Sequence, residues 1–351
     1  MVMTLKQISK ALGVSITTVS KVLNNYPDVS DNTRQRILDY VKEIGFTPNT
    51  VAASLRTKES KIVGLILPNV NHYFFNNILQ GVLNSAEKAG YLVIVLTSNE
   101  SYDLEKKHVE HLLNQKVDGI FISLSEETYN TQHLGSIIDS NVVLIQYDKI
   151  SKLIHSSKVV IDDREAANLA TQHLIDRGKR RIVHLRGPLM PQVAIDRFLG
   201  YKAALDTAAI PFDSALVLSC PQGDDEEGYD QLKTLHEKKI PFDAVFAHAD
   251  LVAVGALRYL KRKKIRIPQE VSVIGFSNWL LSEKITPSLS TIDQPGILMG
   301  EQIFEQFARE RLQKVSGNPV ENAISNRAAA MAIWTVLQSW SNWCRCFQAC
   351  I

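Results

Sequence analysis

LKQISKALGVSITTVSKVLNN, residues 5–25, predicts two short helices joined through a single glycine. Apolar residues recur at helical spacing in its first segment, namely Leu5, Ile8, Ala11 and Leu12. Gly13 ends that helix, because glycine readily adopts the positive φ of a helix stop. Ser15 is a good N-cap for the helix that follows. A third helix is expected over TRQRILDYVKEIGF, residues 33–46.

The second helix carries small polar groups on its outer face. Its inner stripe is Val19, Val22 and Leu23, which leaves outside Ile16, Thr17, Ser20, Lys21 and Asn24. This arrangement is typical of a helix-turn-helix, whose second helix enters the major groove and would present Thr17 and Lys21 to base edges. Hydroxyl and amide groups are expected to reach phosphates, namely those of Thr4, Ser15, Ser20, Asn24 and Thr33. The alternative is a basic three-helix cap without a nucleic-acid partner.

The charge of the chain is concentrated in this region. The formal net charge of the 351 residues is only +2, which argues against a wholly basic nucleic-acid coat protein. Residues 1–60 nevertheless carry eight Lys and Arg against five Asp and Glu, whereas the rest carries 31 against 32. The excess positive charge therefore lies in the first sixth of the chain.

The stretch PNTVAASLRTK, residues 48–58, joins this module to the remainder. Pro48 stops the third helix, and Asn49 can cap a short helical turn. Such a turn is too short to be stable alone in water, so we expect it to fold only when docked. Leu55 beside small alanines would suit a wedge in a minor groove. A flexible linker explains the same residues equally well.

Residues 4–58 resemble the lactose/galactose repressor family almost without gaps. The matching motifs are T-L-x-x-I-S-x-A-L-G-V-S-x-T-T-V-S-K-V-L-N, V-S-x-x-T-R-x-R-I and G-F-x-P-N-x-V-A-x-S-L-R. The resemblance implies a homodimeric transcription regulator on a double-stranded, near-palindromic DNA operator. It places Ile16, Thr17 and Lys21 at base-reading positions. It also places Asn49, Ala52 and Leu55 in a hinge helix that enters the minor groove, with Leu55 levering open the central base step.

From residue 61 the pattern changes to alternating strands and helices. Apolar runs such as IVGLILP (62–68), VVLIQYD (142–148) and VVIDD (159–163) alternate with helical stretches, and a second set begins at RIVHLRG (181–187). The expected fold is a small all-α helix-turn-helix domain followed by an α/β core of two doubly wound parallel-sheet subdomains, which resembles periplasmic binding proteins.

The expected boundaries divide the chain into four parts. They are a DNA-binding domain at 1–46, a hinge at 47–60, a core at 61–315 and a tail at 316–351. Within the core, one subdomain spans about 61–162 and 293–315, and the other spans about 163–292, because TIDQP (291–295) is expected to return the chain to the first half.

Ligands of such sheets bind beyond the carboxyl ends of the strands. That rule nominates an effector site formed by Asn69, Phe74, Phe75, Asp148, Arg197, Asp250, Ser277 and Asn278. Aromatic rings with carboxylate, amide and guanidinium groups suit a small polyhydroxylated molecule, most simply a sugar. The plainer interpretations are core packing for the phenylalanines, helix N-caps for the two aspartates and a surface ion pair for the arginine.

The family resemblance supports the arginine, the second aspartate, a phenylalanine and the residues after IGF as effector contacts. In many members IGF is followed by Asp-Asp, whereas here Ser277 and Asn278 replace that pair. The groups that hold the effector therefore differ from the family pattern.

Several other classes of function lack support in the sequence. Glycine-rich phosphate loops and the nucleophile elbow G-x-S-x-G are absent, so we expect no enzyme and no cofactor. His108 and His111 form only a lone pair, and the three C-terminal cysteines have no fourth ligand, so no metal is expected. No apolar run is long enough to span a membrane or form a signal peptide, which favours a cytoplasmic location. A transport solute-binding protein and a sugar or nucleotide enzyme remain the competing hypotheses.

The resemblance stops near residue 315. The family commonly ends in a strand of the type L-P-x-x-L-I-x-R, whereas this chain reads SNRAAAMAIWTVLQSWSNWCRCFQACI. A reading-frame shift near residues 318–327 and a genuine alternative ending both explain the tail, and we favour the frame shift. It would remove a strand that normally crosses back through the hinge between the two halves.

Overall fold

The computed structural model describes residues 3–23, 26–46, 59–316, 324–325 and 333–334. The chain divides into two compact units, Met1–Lys61 and Ile62–Ile351. No helix in the described ranges combines the length and the apolar character needed to cross a membrane. Four predicted DNA contacts lie outside the described residues, namely Asn24, Asn49, Ala52 and Leu55.

The first unit is the predicted helix-turn-helix. Its helices are α1 (Leu5–Leu12), α2 (Ile16–Leu23) and α3 (Asp31–Glu43). Four apolar side chains, one or two from each helix, form the buried core: Ile8, Val19, Val22 and Ile37. Gly13 ends α1 at φ 66°, the left-handed conformation that the sequence predicted there.

Two of the predicted phosphate contacts act as helix caps in this structure. The backbone N–H of Gln7 donates to Thr4 Oγ1 at 3.4 Å, and the backbone N–H of Thr4 donates to Gln7 Oε1 at 2.8 Å. This reciprocal pair is a capping box. Ser15 Oγ accepts from the backbone N–H of Thr18 at 3.0 Å, which confirms its predicted N-cap position.

The first half of the second unit is a parallel sheet with helices on both faces. Its strands are β1 (Ile62–Leu67), β2 (Leu92–Thr97), β3 (Gly119–Ile122), β4 (Val143–Tyr147) and β5 (Ser157–Val159). Its helices are α4 (Tyr73–Lys88), α5 (Tyr102–Asn114) and α6 (Gln132–Asp139). The strands lie in the order β5-β4-β3-β1-β2, and every pair is parallel.

The second half repeats this design. Its strands are β6 (Ile182–Arg186), β7 (Val217–Ser219), β8 (Ala244–Ala247), β9 (Ser272–Ser277) and β10 (Ser290–Asp293). Its helices are α7 (Asp163–Asp176), α8 (Gln192–Thr207), α9 (Asp225–Glu237), α10 (Asp250–Arg262) and the short α11 (Leu281–Lys284). The order β10-β9-β8-β6-β7 is again parallel throughout. The predicted fold class is therefore confirmed.

The continuous apolar run of β1 follows from burial on both faces. Val63, Leu65 and Leu67 belong to the cluster that includes α4, whereas Ile66 packs with side chains of α5 and α6. A strand covered on both faces has no solvent side, so alternation with polar residues is lost.

Helix α12 (Gly296–Ser316) returns the chain to the first half, where it packs against α4. The close approach requires glycine at the contact. A Cβ on Gly81 would lie 2.1 Å from the carbonyl oxygen of Ile297, and one on Gly300 would lie 2.2 Å from that of Ile78. The two helix backbones therefore touch, and any larger side chain would force them apart.

Some elements differ from the sequence prediction. The strand expected at 159–163 is Ser157–Val159, because Asp162 caps α7 by accepting from the backbone N–H of Glu165 at 2.9 Å. The edge strand β7 was not predicted, since it is short and flanked by polar residues. Two further short strands lie within the tail: β11 (Ile324–Ser325) pairs parallel with β5, and β12 (Ile333–Trp334) pairs antiparallel with β10.

Candidate functional site

A cavity of about 380 Å³ lies between the two halves of the second unit, at the carboxyl ends of their strands. Each sheet has one point where its strand order reverses. This point lies between β1 and β3 in the first half and between β6 and β8 in the second half. Segments that follow these strands contribute to its wall, including Asn69, Glu126, Pro188 and His248. The position agrees with the rule that open α/β sheets bind ligands where the strand order reverses.

The structure brings six of the eight predicted effector residues together at this cavity. They are Asn69, Phe74, Phe75, Asp148, Arg197 and Ser277. The other two, Asp250 and Asn278, do not line it. The cavity volume falls within the usual range for small-molecule sites.

Arg197 is held by three contacts on the second half. Its Nε donates to Asp163 Oδ1 and its Nη1 to the carbonyl oxygen of His248, both at 2.7 Å. Its guanidinium carbon lies 3.7 Å from the centroid of the Phe276 ring. Only 8% of the residue is exposed. The predicted alternative, a surface ion pair, is therefore wrong, because the pair is buried and orders the guanidinium at the cavity wall.

The partner of this arginine is an unusual carboxyl. Burial raises the pKa of Asp163 to about 7, with the Arg197 charge acting in the opposite direction. Because Asp163 opens α7 and Arg197 lies on α8, the ion pair also joins these two helices. Neither residue type alone signals this contact, since they are 34 residues apart.

The two aromatic side chains at the start of α4 combine core and cavity positions. Phe74 and Phe75 are 3% and 7% exposed, and their ring centroids lie 5.3 Å apart at an interplanar angle of 51°. His72 approaches Phe75 edge-on at 5.7 Å. Both phenylalanines therefore serve the core, and both also line the cavity. Packing on both sides fixes the rings, which suits an apolar face for a ligand.

The first-half wall carries three acidic residues and one lysine. Lys149 Nζ donates to both carboxylate oxygens of Glu100, at 2.5 and 2.7 Å, and lies 3.8 Å from Glu126 Oε1. Burial raises the pKa of Glu126 to about 7 and also raises that of Asp148. One ammonium thus stands among three carboxyl groups.

Asp250 and Asn278 do not line the cavity but form hydrogen bonds next to its wall. Asp250 accepts at 2.6 Å from both Thr291 Oγ1 and the backbone N–H of Trp279, and burial raises its pKa to about 6. Asn278 Nδ2 donates to Asp293 at 2.9 Å. Adjacent strands β9 and β10 bring these partners within reach, so both side chains join the loop after β9 to its neighbours.

Ser277 lies at the end of β9 with φ 115°, a conformation that side-chain-bearing residues rarely adopt. Its Oγ donates to Gln294 Oε1 at 2.7 Å. Positive φ also occurs at Asn99, Glu100 and Asp148, which line the same cavity. Four of the eleven positive-φ residues other than glycine in the described part of the chain therefore line the cavity.

Three buried polar atoms on cavity-lining residues have no hydrogen-bond partner among the described residues. They are His72 Nδ1, His248 Nε2 and Gln294 Nε2. Burial lowers the pKa of His72 to about 4 and that of His248 to about 3, so both rings are neutral at pH 7. An unpaired buried polar atom is costly, so these three atoms are candidates for hydrogen bonds to a hydroxyl-bearing ligand that reaches them.

On the first unit, α2 presents the predicted base-reading side chains to a shallow depression. It is lined by Leu5, Ile16, Thr17, Ser20, Lys21 and Tyr26. Ile16 is 46% exposed, a high value for an apolar residue on a helix start. Lys21 forms an ion pair with Asp28, which holds the pKa of Asp28 below its usual range. Of the predicted phosphate contacts, Thr33 accepts a hydrogen bond from Ser30 Oγ at 3.0 Å.

Two family profiles together match most of the chain. "Bacterial regulatory proteins, lacI family" matches residues 4–49, and "Periplasmic binding proteins and sugar binding domain of LacI family" matches residues 60–323. The chain belongs to the LacI family. The matches cover the helix-turn-helix and both halves of the cavity, so this LacI-family protein is a DNA-binding transcription regulator with a small-molecule effector domain. The second match extends eight residues past the expected limit at 315.

Several curated relatives are transcription regulators by name. The regulator DegA of Bacillus subtilis (strain 168) is 29% identical over 312 residues, which cover 89% of this chain and 92% of DegA. The HTH-type transcriptional repressor PurR of Yersinia pestis bv. Antiqua (strain Antiqua) is 32% identical, with 86% of this chain and 88% of PurR covered.

Solved structures show the same LacI-family architecture. The transcriptional regulator CelR–cellobiose complex matches with a TM-score of 0.68 and 27% identity, covering 92% of this chain and 96% of that one. The Lac repressor dimer bound to operator and the anti-inducer ONPF matches with a TM-score of 0.80 at 24% identity, covering 92% and 96%. The second comparison supports the fold.

Sequence reasoning missed most of the polar cavity wall. The missed residues include His72, Asn99, Glu100, Glu126, Lys149, His248 and Gln294. Glu100, Glu126 and Lys149 directly follow or lie just beyond predicted strands, so the strand-end rule, applied to every strand, would have found them. Asn99 and His248 lie within the stretches predicted as strands, and Gln294 lies in the stretch expected to return the chain to the first half. His72 lies immediately before α4 and carries no comparable signal. Groups of three or more side chains able to hold a metal are absent from the described part of the chain.

Proposed function

We propose that the chain is a repressor that binds a near-palindromic operator as a homodimer, and that a sugar bound in the cavity controls its operator affinity. The observation that carries this proposal is the cavity itself. It joins two halves of the same strand order and holds a preordered Arg197 opposite an aromatic wall. Support for a sugar comes from the three unpaired polar atoms and from the cellobiose complex of the similar regulator CelR.

Each predicted site residue has a place in this proposal. On the DNA side, Ile16, Thr17 and Lys21 read bases, while Thr4, Ser15, Ser20, Asn24 and Thr33 contact phosphates. Asn49, Ala52 and Leu55 enter the minor groove as part of a hinge helix. In the cavity, Asn69, Phe74, Phe75, Asp148, Arg197 and Ser277 contact the effector. Asp250 and Asn278 position the wall.

The proposed mechanism is a population shift between two arrangements of the core halves. The chain passes between them from β5 to α7, from β10 to α12 and through the tail strands. A ligand that contacts both halves favours the arrangement in which both sets of contacts form. In the homodimer, this arrangement would set the spacing of the two hinge segments and hence the operator affinity.

We keep the four expected parts of the chain as a proposal: 1–46, 47–60, 61–315 and 316–351. For the tail, we retain the frame-shift hypothesis for its sequence, although the expected loss of a crossing strand is not seen, because β11 and β12 add one short strand to each sheet. Sequencing the gene together with its downstream bases tests it, since an unbroken natural frame that ends at Ile351 would refute it.

An electrophoretic titration on the selected operator tests the DNA side. Leu55→Ala should weaken operator binding while leaving cavity ligands bound with unchanged affinity, because the wedge contacts only DNA. Leu38→Ala is the matched control, since it makes the same truncation at a leucine on α3 that is 40% exposed and is not a predicted DNA contact. Unchanged operator affinity in the Leu55 variant would refute the hinge assignment.

A further inference from the structure

The charges around the cavity do not balance. Its wall carries three carboxyl side chains, Glu100, Glu126 and Asp148, and two cationic ones, Lys149 and Arg197. Arg197 is already paired at 2.7 Å with Asp163, which lies outside the lining. The arginine is thereby bonded to a carboxyl of its own half, and Lys149 is the one cation of the described wall within 4 Å of a first-half carboxyl.

Lys149 is bonded more closely to Glu100 than to Glu126. Its ammonium contacts both oxygens of Glu100 but lies 3.8 Å from the nearer oxygen of Glu126. Glu126 keeps its place through its backbone N–H, which donates to Glu100 Oε2 at 2.9 Å. The side chain of Glu126 and the carboxyl of Asp148 are thus left facing a cavity without a full counter-charge.

Burial makes this shortage of positive charge consequential. Asp148 is 8% exposed, and burial raises its pKa above the ordinary range. Asp148 stands at φ 53°, a left-handed conformation that aspartate tolerates. A buried carboxyl that lacks a cation is an expensive feature, unless a ligand supplies the cation.

The other polar groups of the wall indicate hydroxyl groups on the same ligand. Gln294 is 4% exposed, and its Nε2 has no partner among the described residues, while its Oε1 is taken by Ser277. The neutral rings of His72 and His248 add two more unpaired nitrogens. Neutral donors and acceptors of this kind would pair with hydroxyls of a ligand that reaches them, and the apolar faces of Phe74 and Phe75 suit the flat side of a sugar ring.

We propose that the effector is an amine-bearing sugar whose ammonium lies against Asp148 and Glu126, and that phosphorylated and carboxylated sugars are excluded. This inference rests on the proposed function, because it assigns the chemical class of the ligand in the same cavity. Anionic ligands are excluded since they would approach uncompensated carboxylates, while Arg197, the cation of the other wall, is already paired.

Calorimetric titration of the full chain with matched sugars tests the charge preference. The probes are glucose, galactose and mannose, each compared with its 2-amino-2-deoxy form, its N-acetylated amine and its 6-phosphate. The free amine of at least one configuration should bind with a Kd at least tenfold below those of its parent sugar and its N-acetyl form, and the 6-phosphates should not bind. A preferred parent sugar, N-acetyl form or phosphate would overturn the proposal, as would a panel in which no amine binds.

Two variants locate the ammonium. Glu126→Gln and Asp148→Asn should each reduce the preference for the amine to less than threefold, and asparagine tolerates the positive φ of position 148. Glu127→Gln is the matched control, because Glu127 is exposed, neighbours Glu126 in sequence and does not line the cavity. An unchanged preference in both cavity variants would overturn the placement.

Operator binding by the same preparation distinguishes a failure of the amine-sugar proposal from a failure of the proposed function. If the chain binds a palindromic operator but prefers neutral or anionic sugars, the amine assignment fails and the regulator assignment stands. If the amine binds but no operator is recognised, the regulator assignment fails instead.

Discussion

Replacement of Arg197 by alanine should destabilise the second unit by about 3–5 kcal/mol, the usual cost of removing one partner of a buried ion pair. The structure supports this magnitude. The substitution removes two 2.7 Å charge-assisted hydrogen bonds and a cation–π contact at 3.7 Å, from a residue that is only 8% exposed. Arg197→Lys keeps the charge but loses the planar fork, so its cost should be about 1–2 kcal/mol.

The destabilisation caused by Arg197→Ala should depend on pH, because the substitution leaves the carboxyl of Asp163 without its partner. Asp163 has a folded pKa of about 7, above its unfolded value, and this pKa rises further when the guanidinium is removed. A raised carboxyl pKa contributes stability at low pH that is lost as pH rises towards the folded pKa. The cost of Arg197→Ala should therefore be smaller at pH 6 than at pH 8.

Urea unfolding followed by circular dichroism measures these effects in a double-mutant cycle. The cycle consists of the wild type, Arg197→Ala, Asp163→Asn and the double variant. The double variant should be more stable than the sum of the single losses implies by about 2 kcal/mol, because each single change strands the other partner. Losses of the two single variants that add to that of the double variant within about 0.5 kcal/mol would show that Arg197 and Asp163 are not coupled.

Three further predictions concern other parts of the molecule. Glu126→Gln should stabilise the ligand-free protein by about 1 kcal/mol at pH 8 after allowance for solvent screening, and should have no such effect at pH 4. The reason is that the buried carboxyl of Glu126, whose pKa is raised, destabilises the fold only when it is ionised. Thermal melts at both pH values measure this difference. Gly300→Ala should cost at least about 2 kcal/mol, since its Cβ would lie 2.2 Å from the carbonyl oxygen of Ile78; Gly135→Ala, which meets open space, is the control in urea unfolding. Lys21→Ala should weaken operator binding and change sequence preference, whereas Asp28→Asn should strengthen binding by releasing Lys21; fluorescence anisotropy measures both, and equal affinities would contradict the assignment of α2.

The fold could be predicted from sequence because its signals are local. Apolar spacing and Gly13 define the first two helices, and buried runs such as residues 62–68 define parallel strands. Short edges were missed, as at Val217–Ser219, since three residues carry too little pattern to distinguish a strand from a loop. The end of β5 was misplaced because Asp162 looks equally suitable for a strand end or a helix cap.

The cavity was only partly predictable, for a different reason. The strand-end rule nominated Asp148 and Arg197, which line the cavity. It also nominated Asp250, whose carboxylate accepts hydrogen bonds from Thr291 and Trp279. Which polar side chain faces a ligand depends on partners from distant strands. The pairing of Arg197 with Asp163 is the clearest case, since its two residues come from different helices.

Operator affinity measured with and without the cavity ligand shows whether occupancy of the cavity controls DNA binding. A duplex selected from a random library by the full chain would be titrated by fluorescence anisotropy, using the amino sugar that binds most tightly as the ligand. We expect a near-palindromic site, an affinity that falls steeply with salt, and at least a fivefold change on ligand addition that Arg197→Lys abolishes. Ligand binding that leaves the operator affinity unchanged, or a selection that enriches no common site, would contradict this expectation.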